Sequence, residues 1–387
     1  MTRQYADLEN GSFSALGHGH LPFRQAVRHG DVVYVTGQVA VEEKPSPMPQ
    51  QTRIAMANMK AVLDQVGATM ADVVQTTSYY VGLEGLRESA LIQSREFPSA
   101  VASTAVVVPA LVEPRFLVEI EAIAVVGARK DVARLPGRDP LGVAGPACQA
   151  VRCGNTIYVS GLVATDHQGG VLHPGDMPRQ AGATMERMQS VLGQLGATLD
   201  DVVHTDVYFV GAKGWKEAAQ VRGRYFKVGP TSTGVVIPTL AEAGYLIQID
   251  AIAVANTPKQ YADASTPNVV EKLRLDVPFR QGVKCGNTIH TSGQVALGEN
   301  GEALHPTDIA GQTRVAMENI RALLAEFGAT TEDVVRKNTY YVGVKDYRRT
   351  VPIRAEYFKT GTCATRVGVD GLVVPGLLIE MEVVAIV

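Results

Sequence analysis

Hydrophobic and polar positions along this chain change their period in a fixed order, and that order comes round three times. Ala55, Met59, Val62, Leu63 and Val66 are spaced as the buried stripe of an amphipathic helix. Thr184, Met188, Val191, Leu192 and Leu195 repeat the stripe, and Ala316, Ile320, Leu323, Leu324 and Phe327 repeat it again. Each helix runs into a Gly-Ala-Thr element, at Gly67, Gly196 and Gly328, which predicts a glycine stop. A β-rich run follows, as in Asn338 to Gly343, then a second short helix over roughly Asp346 to Phe358. Two closing strands end the unit, such as Thr365 to Val369 and Leu377 to Ile386. Ahead of the first helix lie strands ending in Thr36-Gly37-Gln38, Ser160-Gly161-Leu162 and Ser292-Gly293-Gln294. The order within a unit is therefore β-β-α-β-α-β-β.

The markers recur about every 130 residues, a period too long for a solenoid unit, so each copy predicts a full domain. The expected limits are 1–128, 129–257 and 258–387, with connectors at 129–145 and 258–275 where the copies stop matching. The fold class is α+β, one sheet per copy with two helices on one face. Strands such as Leu117 to Val125 read as apolar on both faces, so the bare face needs a cover. Three sheets turned inward around a pseudo-threefold axis, helices outside, would supply it.

Composition narrows the classes. With 46% hydrophobic and 19% charged residues the chain has material for several cores, and neither disorder nor a disulfide scaffold is implied. A net charge of -3 gives no electrostatic reason to expect nucleic acid as partner. Cys148, Cys153, Cys285 and Cys363 form no Cys-x-x-Cys pair, and no cofactor or metal motif stands out. The opening residues lack the apolar core of a signal peptide, and no stretch suits a membrane span, so a cytoplasmic protein is expected.

An aromatic-x-Gln segment, a strand ending in Ser-Gly-Gln, a helix, an Asp-Val-Val strand and a closing Glu-Ile-Glu-Ala-Ile-Ala strand together resemble the RidA/YjgF family of small-molecule imine and enamine deaminases. The closing strands here are Glu119 to Ala124, Gln248 to Ala253 and Glu380 to Ala385. The resemblance implies chorismate-mutase-like domains that trimerise, with ligand clefts between neighbours. One chain would then be a monomeric pseudo-trimer, with further pairing of two chains left open.

In the family a closing-strand carboxylate holds the attacking water, an arginine one strand earlier clamps the substrate carboxylate, and an aromatic and the Ser of Ser-Gly-Gln line the cleft. The carboxylate falls on Glu119 and Glu380, with Gln248 in the middle copy. The arginine positions carry Ser103, Ser232 and Ala364, so the clamp is missing three times. The aromatic falls on Phe23 and Phe279, with Ala147 between them, and the hydroxyl on Thr36, Ser160 and Ser292. Arg366, two residues past Ala364 on the same strand face, is the expected substitute, with Arg115 beside the Glu119 strand as another. Arg24 and Arg280 adjoin the two Phe positions, but alternation aims them away.

The expected activity is hydrolytic attack by a Glu-activated water on an imine-like carbon in one or two clefts. The alternative is a catalytically silent small-ligand-binding pseudo-trimer. Ribonuclease activity ranks below both for want of a basic stripe, and so do triplicated cyclic-amide hydrolases, whose recurring Ser-Lys pairs are not found. The cysteines read as packing thiols, His173 and His305 as loop or capping residues, and Tyr79, Tyr208 and Tyr340 as core.

Overall fold

The computed structural model describes residues 3–8, 23–42, 44–135, 147–263 and 269–387. Residues 136–145 of the first expected connector and 264–268 of the second lie outside these residues. In the first copy the strands Ala26–His29 and Val32–Gln38 lead into helix Met48–Gln65. Strand Val73–Val81, helix Leu86–Glu96 and strands Val101–Val108 and Val118–Val125 complete it. The second and third copies repeat the order, with long helices Met177–Gln194 and Ile309–Glu326 and closing strands Ile247–Val254 and Ile379–Ile386. In the third copy the second helix is split, a 3-10 turn Tyr347–Thr350 preceding Val351–Tyr357.

The long helices start and stop for local reasons. Asp176 and Asp308 cap theirs by accepting backbone N–H groups, while the first begins at Pro47 without a side-chain cap and has a proline in its first turn. Each ends as the sequence predicts, on Gly67, Gly196 or Gly328 with φ near +70°.

In each sheet the closing strand sits between the Ser/Thr-Gly strand and the central strand, antiparallel to both. The central strand pairs in parallel with the next one through the short helix, with Thr76 opposite Ser103. A further strand edges each sheet: Gln4–Ala6, Asp131–Ala133 and Lys259–Ala262 pair antiparallel with the first hairpin of the copy that follows them. The connector starts are thus strands and not the exposed linker that their composition predicts.

The helix-facing side of each sheet is apolar: Val118, Ile120, Ala122 and Ala124 pack with Met59, Val62 and Leu63. The other side is buried but not apolar, which corrects the expectation. Glu119 and Glu121, Gln248 and Asp250, and Glu380 and Glu382 alternate onto it and are all at most 9% exposed.

Contacts between copies follow a cycle. Ala147–Cys148 of the second copy pairs in parallel with strand Val101–Val108 of the first. Arg280 of the third bridges Thr231 of the second, and Phe23 of the first bridges Thr362 of the third. Tyr79, Tyr208 and Tyr340 join one shared core with residues of all three copies, as their core reading requires.

Candidate functional site

Three seams result, each built from the same parts. At every seam the backbone N–H at the position where the resemblance leads one to expect arginine donates to the Ser/Thr-Gly hydroxyl of the next copy. The pairs are Ser103 to Ser160 at 2.9 Å, Ser232 to Ser292 at 2.8 Å and Ala364 to Thr36 at 3.1 Å. Each hydroxyl gives its own proton to a carbonyl, Ser160 to Cys148, Ser292 to Arg280 and Thr36 to Arg24. With that proton committed, these hydroxyls serve as seam pins and have no proton left to donate to a ligand.

The next residue must be glycine. A Cβ on Gly37 or Gly293 would collide with the carboxyl of Glu119 or Glu380, and one on Gly161 would lie 2.6 Å from Gln248 Nε2. The Ser/Thr-Gly step and the closing-strand acid are therefore one unit: the missing side chain opens the space in which the carboxyl lies.

Between the second and third copies the seam opens into a cleft that is partly open to solvent. Glu380, Phe279, Ser292 and Gly293 line it from the third copy, and Ser232, Trp215 and Arg222 from the second. Arg222 is the residue the sequence reading missed. It comes from helix Trp215–Gly223, 3% exposed, and its Nη2 donates to Thr205 Oγ1 and Ser232 Oγ, both at 3.1 Å. Its guanidinium carbon lies 4.9 Å from the centre of the Phe279 ring. Burial lowers it to about 9, still cationic at neutral pH. Burial also raises Glu380 well above the carboxylate range, and the charges of Glu382 and Asp206 add to the shift.

Between the third and first copies, helix Val351–Tyr357 puts Arg354 at the register of Arg222. Arg366 lies over the Phe23 ring at 5.7 Å, and Lys337 Nζ over Phe358 at 3.8 Å. Burial raises Glu119 to about 8, against the lowering pull of the Arg366 charge and backbone N–H. Neither Glu119 oxygen accepts a well-formed hydrogen bond among the described residues. The seam between the first and second copies has Gln93 at the Arg222 register, bonded to Ser78 and Tyr80, and Ser103, Ser160, Ala147 and Gln248 at the other matching positions. None of the five residues at matching positions ionises.

The other expected cations are engaged elsewhere. Arg115 donates to the Glu42 carbonyl at 2.8 Å, and Arg24 and Arg280 pair with Asp7 and Asp263 outside the sheets. Burial pushes the Cys148 and Cys363 thiols up to about 11 and 12, which suits packing and not attack. His173 and His305 take φ of 50° at the bends before the long helices.

A second buried set, also unforeseen, lies where the inner faces meet. Arg336 pairs with Glu121 at 2.6 Å, and His204 Nε2 lies 3.3 Å from Asp206 and 3.4 Å from Glu382. His204, Asp206 and Glu382 have the residue types and spacing of a metal site. Thr231, however, donates its only proton to the Val203 carbonyl, so it must accept from His204 Nδ1–H at 2.8 Å. Nε2 then faces two carboxylates, an arrangement an imidazolium satisfies unaided. Burial alone would depress this histidine, yet Asp206 and Glu382 raise it to about 10.

Comparison with known proteins agrees with this architecture. The endoribonuclease L-PSP family profile matches residues 18–126, 138–255 and 271–387. A RutC family protein of Pyrococcus abyssi is 36% identical over 109 residues, 28% of this chain and 85% of the relative. A 3-aminoacrylate deaminase RutC of Acinetobacter baylyi is 34% identical over 108 residues, 28% of this chain and 86% of that protein. A chorismatase structure aligns over 81% of this chain and 93% of its own at a TM-score of 0.57 and 13% identity, a likeness of fold. Three matches in tandem, over most of the sequence, show that the chain belongs to the endoribonuclease L-PSP family, also called RidA/YjgF, and carries its domain three times.

Proposed function

We propose that the chain is an intramolecular pseudo-trimer that deaminates imine or enamine metabolites by water attack in the cleft between its second and third copies. The observation that carries this reading is that Arg222 and Glu380, from two different copies, line one cleft. The guanidinium supplies the clamp that Ser232 lacks, reached from a helix and not from the strand. It suits a substrate with one carboxylate, held by charge-assisted bonds over the Phe279 ring.

Burial raises Glu380 well above its usual range and so favours a carboxyl that carries a proton. It gives that proton to the imine nitrogen, producing an iminium and a carboxylate. The carboxylate then takes a proton from water as the oxygen bonds to carbon, giving a carbinolamine. Proton return to nitrogen breaks the C–N bond, ammonia leaves, and loss of the hydroxyl proton yields the carbonyl product. Water is consumed and the carboxyl regenerated. The RutC relative's name as a deaminase supports the reaction class.

The seam holding Gln248 and Gln93 supports the silent, ligand-binding reading for that position alone, since it offers no proton donor or acceptor of suitable pKa. The test is ammonia release from imines generated in situ. Glu380→Gln should lower kcat by about a hundredfold or more, and Arg222→Gln should raise KM roughly tenfold. Full turnover by both variants would overturn the assignment.

A further inference from the structure

The three seams share their pins and their glycines, and differ in what fills the space beyond. Two residues past Ser232 the second copy carries Gly234, where the first has Ala105 and the third Arg366. Phe209, on the neighbouring strand, stands at the register of Tyr80 and Tyr341. Both tyrosine hydroxyls are engaged within their own copies, Tyr80 with Gln93 and Tyr341 with Thr350. The second copy thus omits a side chain at one position and a hydroxyl at the other. It also opens its short helix with Trp215, directly after Gly214, where the first copy has Leu86 after Gly85.

Gly234, Phe209, Trp215 and Ala219 all line the cleft that holds Arg222 and Glu380. Val373 joins them from the third copy, brought there by the pairing of Leu372 with Val235. A Cβ on Gly234 would lie 3.1 Å from Phe209 and 3.8 Å from Val373, so the bare Cα leaves the space between these two side chains open. The hydroxyls of the lining are already committed: Ser232 accepts from Arg222, and Ser292 has given its proton to a carbonyl. A ligand whose carboxylate meets Arg222 and whose reacting carbon meets Glu380 therefore has rings and aliphatic groups to receive its remaining substituent. Carbon displaces water from such a surface favourably.

We propose that the substrate of this cleft carries a bulky apolar side chain, branched or aromatic, beside its carboxylate, that Phe209, Trp215 and Val373 receive it, and that Gly234 sets the size accepted. The inference rests on the use of this cleft proposed above and adds the substituent to the carboxylate and the reacting carbon.

Trp215 is the chain's one tryptophan, so its fluorescence follows occupancy without any turnover. The full chain is titrated with propionate, 4-methylpentanoate and 3-phenylpropionate, with calorimetry of the same acids as a check. The two larger acids should bind at least about tenfold tighter than propionate. Gly234→Ala, which installs the first copy's residue, should cut that preference about fivefold or more. Phe209→Tyr, which installs the hydroxyl of the other two copies, is a second variant should the first not fold, with a loss of similar size expected. In a second arm, imines generated in situ from leucine and phenylalanine should release ammonia with a kcat/KM at least about tenfold above that of the imine from alanine. Larger acids that bind as expected, with no ammonia from any imine, would refute deamination and leave the apolar recognition standing. Propionate binding as tightly as the larger acids, no binding of the larger acids, the alanine imine turned over as fast as the leucine imine, or a folded variant with its preference intact would overturn the inference and leave deamination untouched.

Discussion

Replacing Glu119 by glutamine should stabilise the protein, and by an amount that depends on pH. Burial raises this carboxyl from 4.5 to about 8. The folded state therefore holds a proton that the unfolded chain releases above pH 4.5. For an acid whose native pKa is raised, stability is greatest below the unfolded value and falls as pH rises, levelling off above about 8. Each pH unit of that interval costs the native state about 1.4 kcal/mol. Between pH 5 and pH 8 the wild type should lose about 3–4 kcal/mol relative to Glu119→Gln. Glutamine keeps the shape and the hydrogen-bonding capacity but has no proton to lose. Other titrating groups are common to both proteins and cancel in the difference. Urea unfolding of both proteins at pH 5, 6, 7 and 8 measures the divergence. Parallel curves, or a variant that weakens relative to wild type as pH rises, would refute the assignment of a buried, poorly compensated carboxyl. A residue that costs stability at working pH is retained for what it does, not for packing.

Gly293→Ala should leave Glu380 no room for its carboxyl and reduce ammonia release as far as Glu380→Gln does, with unfolding checked by circular dichroism. The equivalent Gly161→Ala, facing Gln248, should leave turnover unchanged. His204, raised to about 10, contributes stability in full below its unfolded value near 6.5 and loses it as pH rises through 10. The deficit of His204→Gln relative to wild type, read from denaturant midpoints, should therefore shrink between pH 7 and pH 10, and a constant deficit would contradict the imidazolium.

The fold was legible because three copies repeated the same periodicities and the same glycine stops. The missed edge strands had a signal too: Gln4-Tyr5-Ala6-Asp7 recurs as Gln260-Tyr261-Ala262-Asp263, each aspartate later pairing with the arginine beside an aromatic. The candidate site was only partly legible. Glu119, Glu380, Phe23 and Phe279 follow from the family resemblance, whereas Arg222 and Arg354 come from a helix and meet the strand position only in three dimensions. Their one linear trace is a polar residue, matched by Gln93, on the inward stripe of a short helix. The ionic set at the sheet faces was announced by Glu121, Asp250 and Glu382 in alternation with the quoted acids, but its partners His204 and Arg336 lie on another strand.

The contact of Ala364 with Thr36 joins residues 328 positions apart. Emerging from the ribosome, the first copy can dock on the second while synthesis continues, but its other flank has no mate until strand Cys363–Val369 of the third copy is made. Contacts of so long a sequence separation form slowly. Any chain cut short before its final strands would thus leave that flank permanently unfinished.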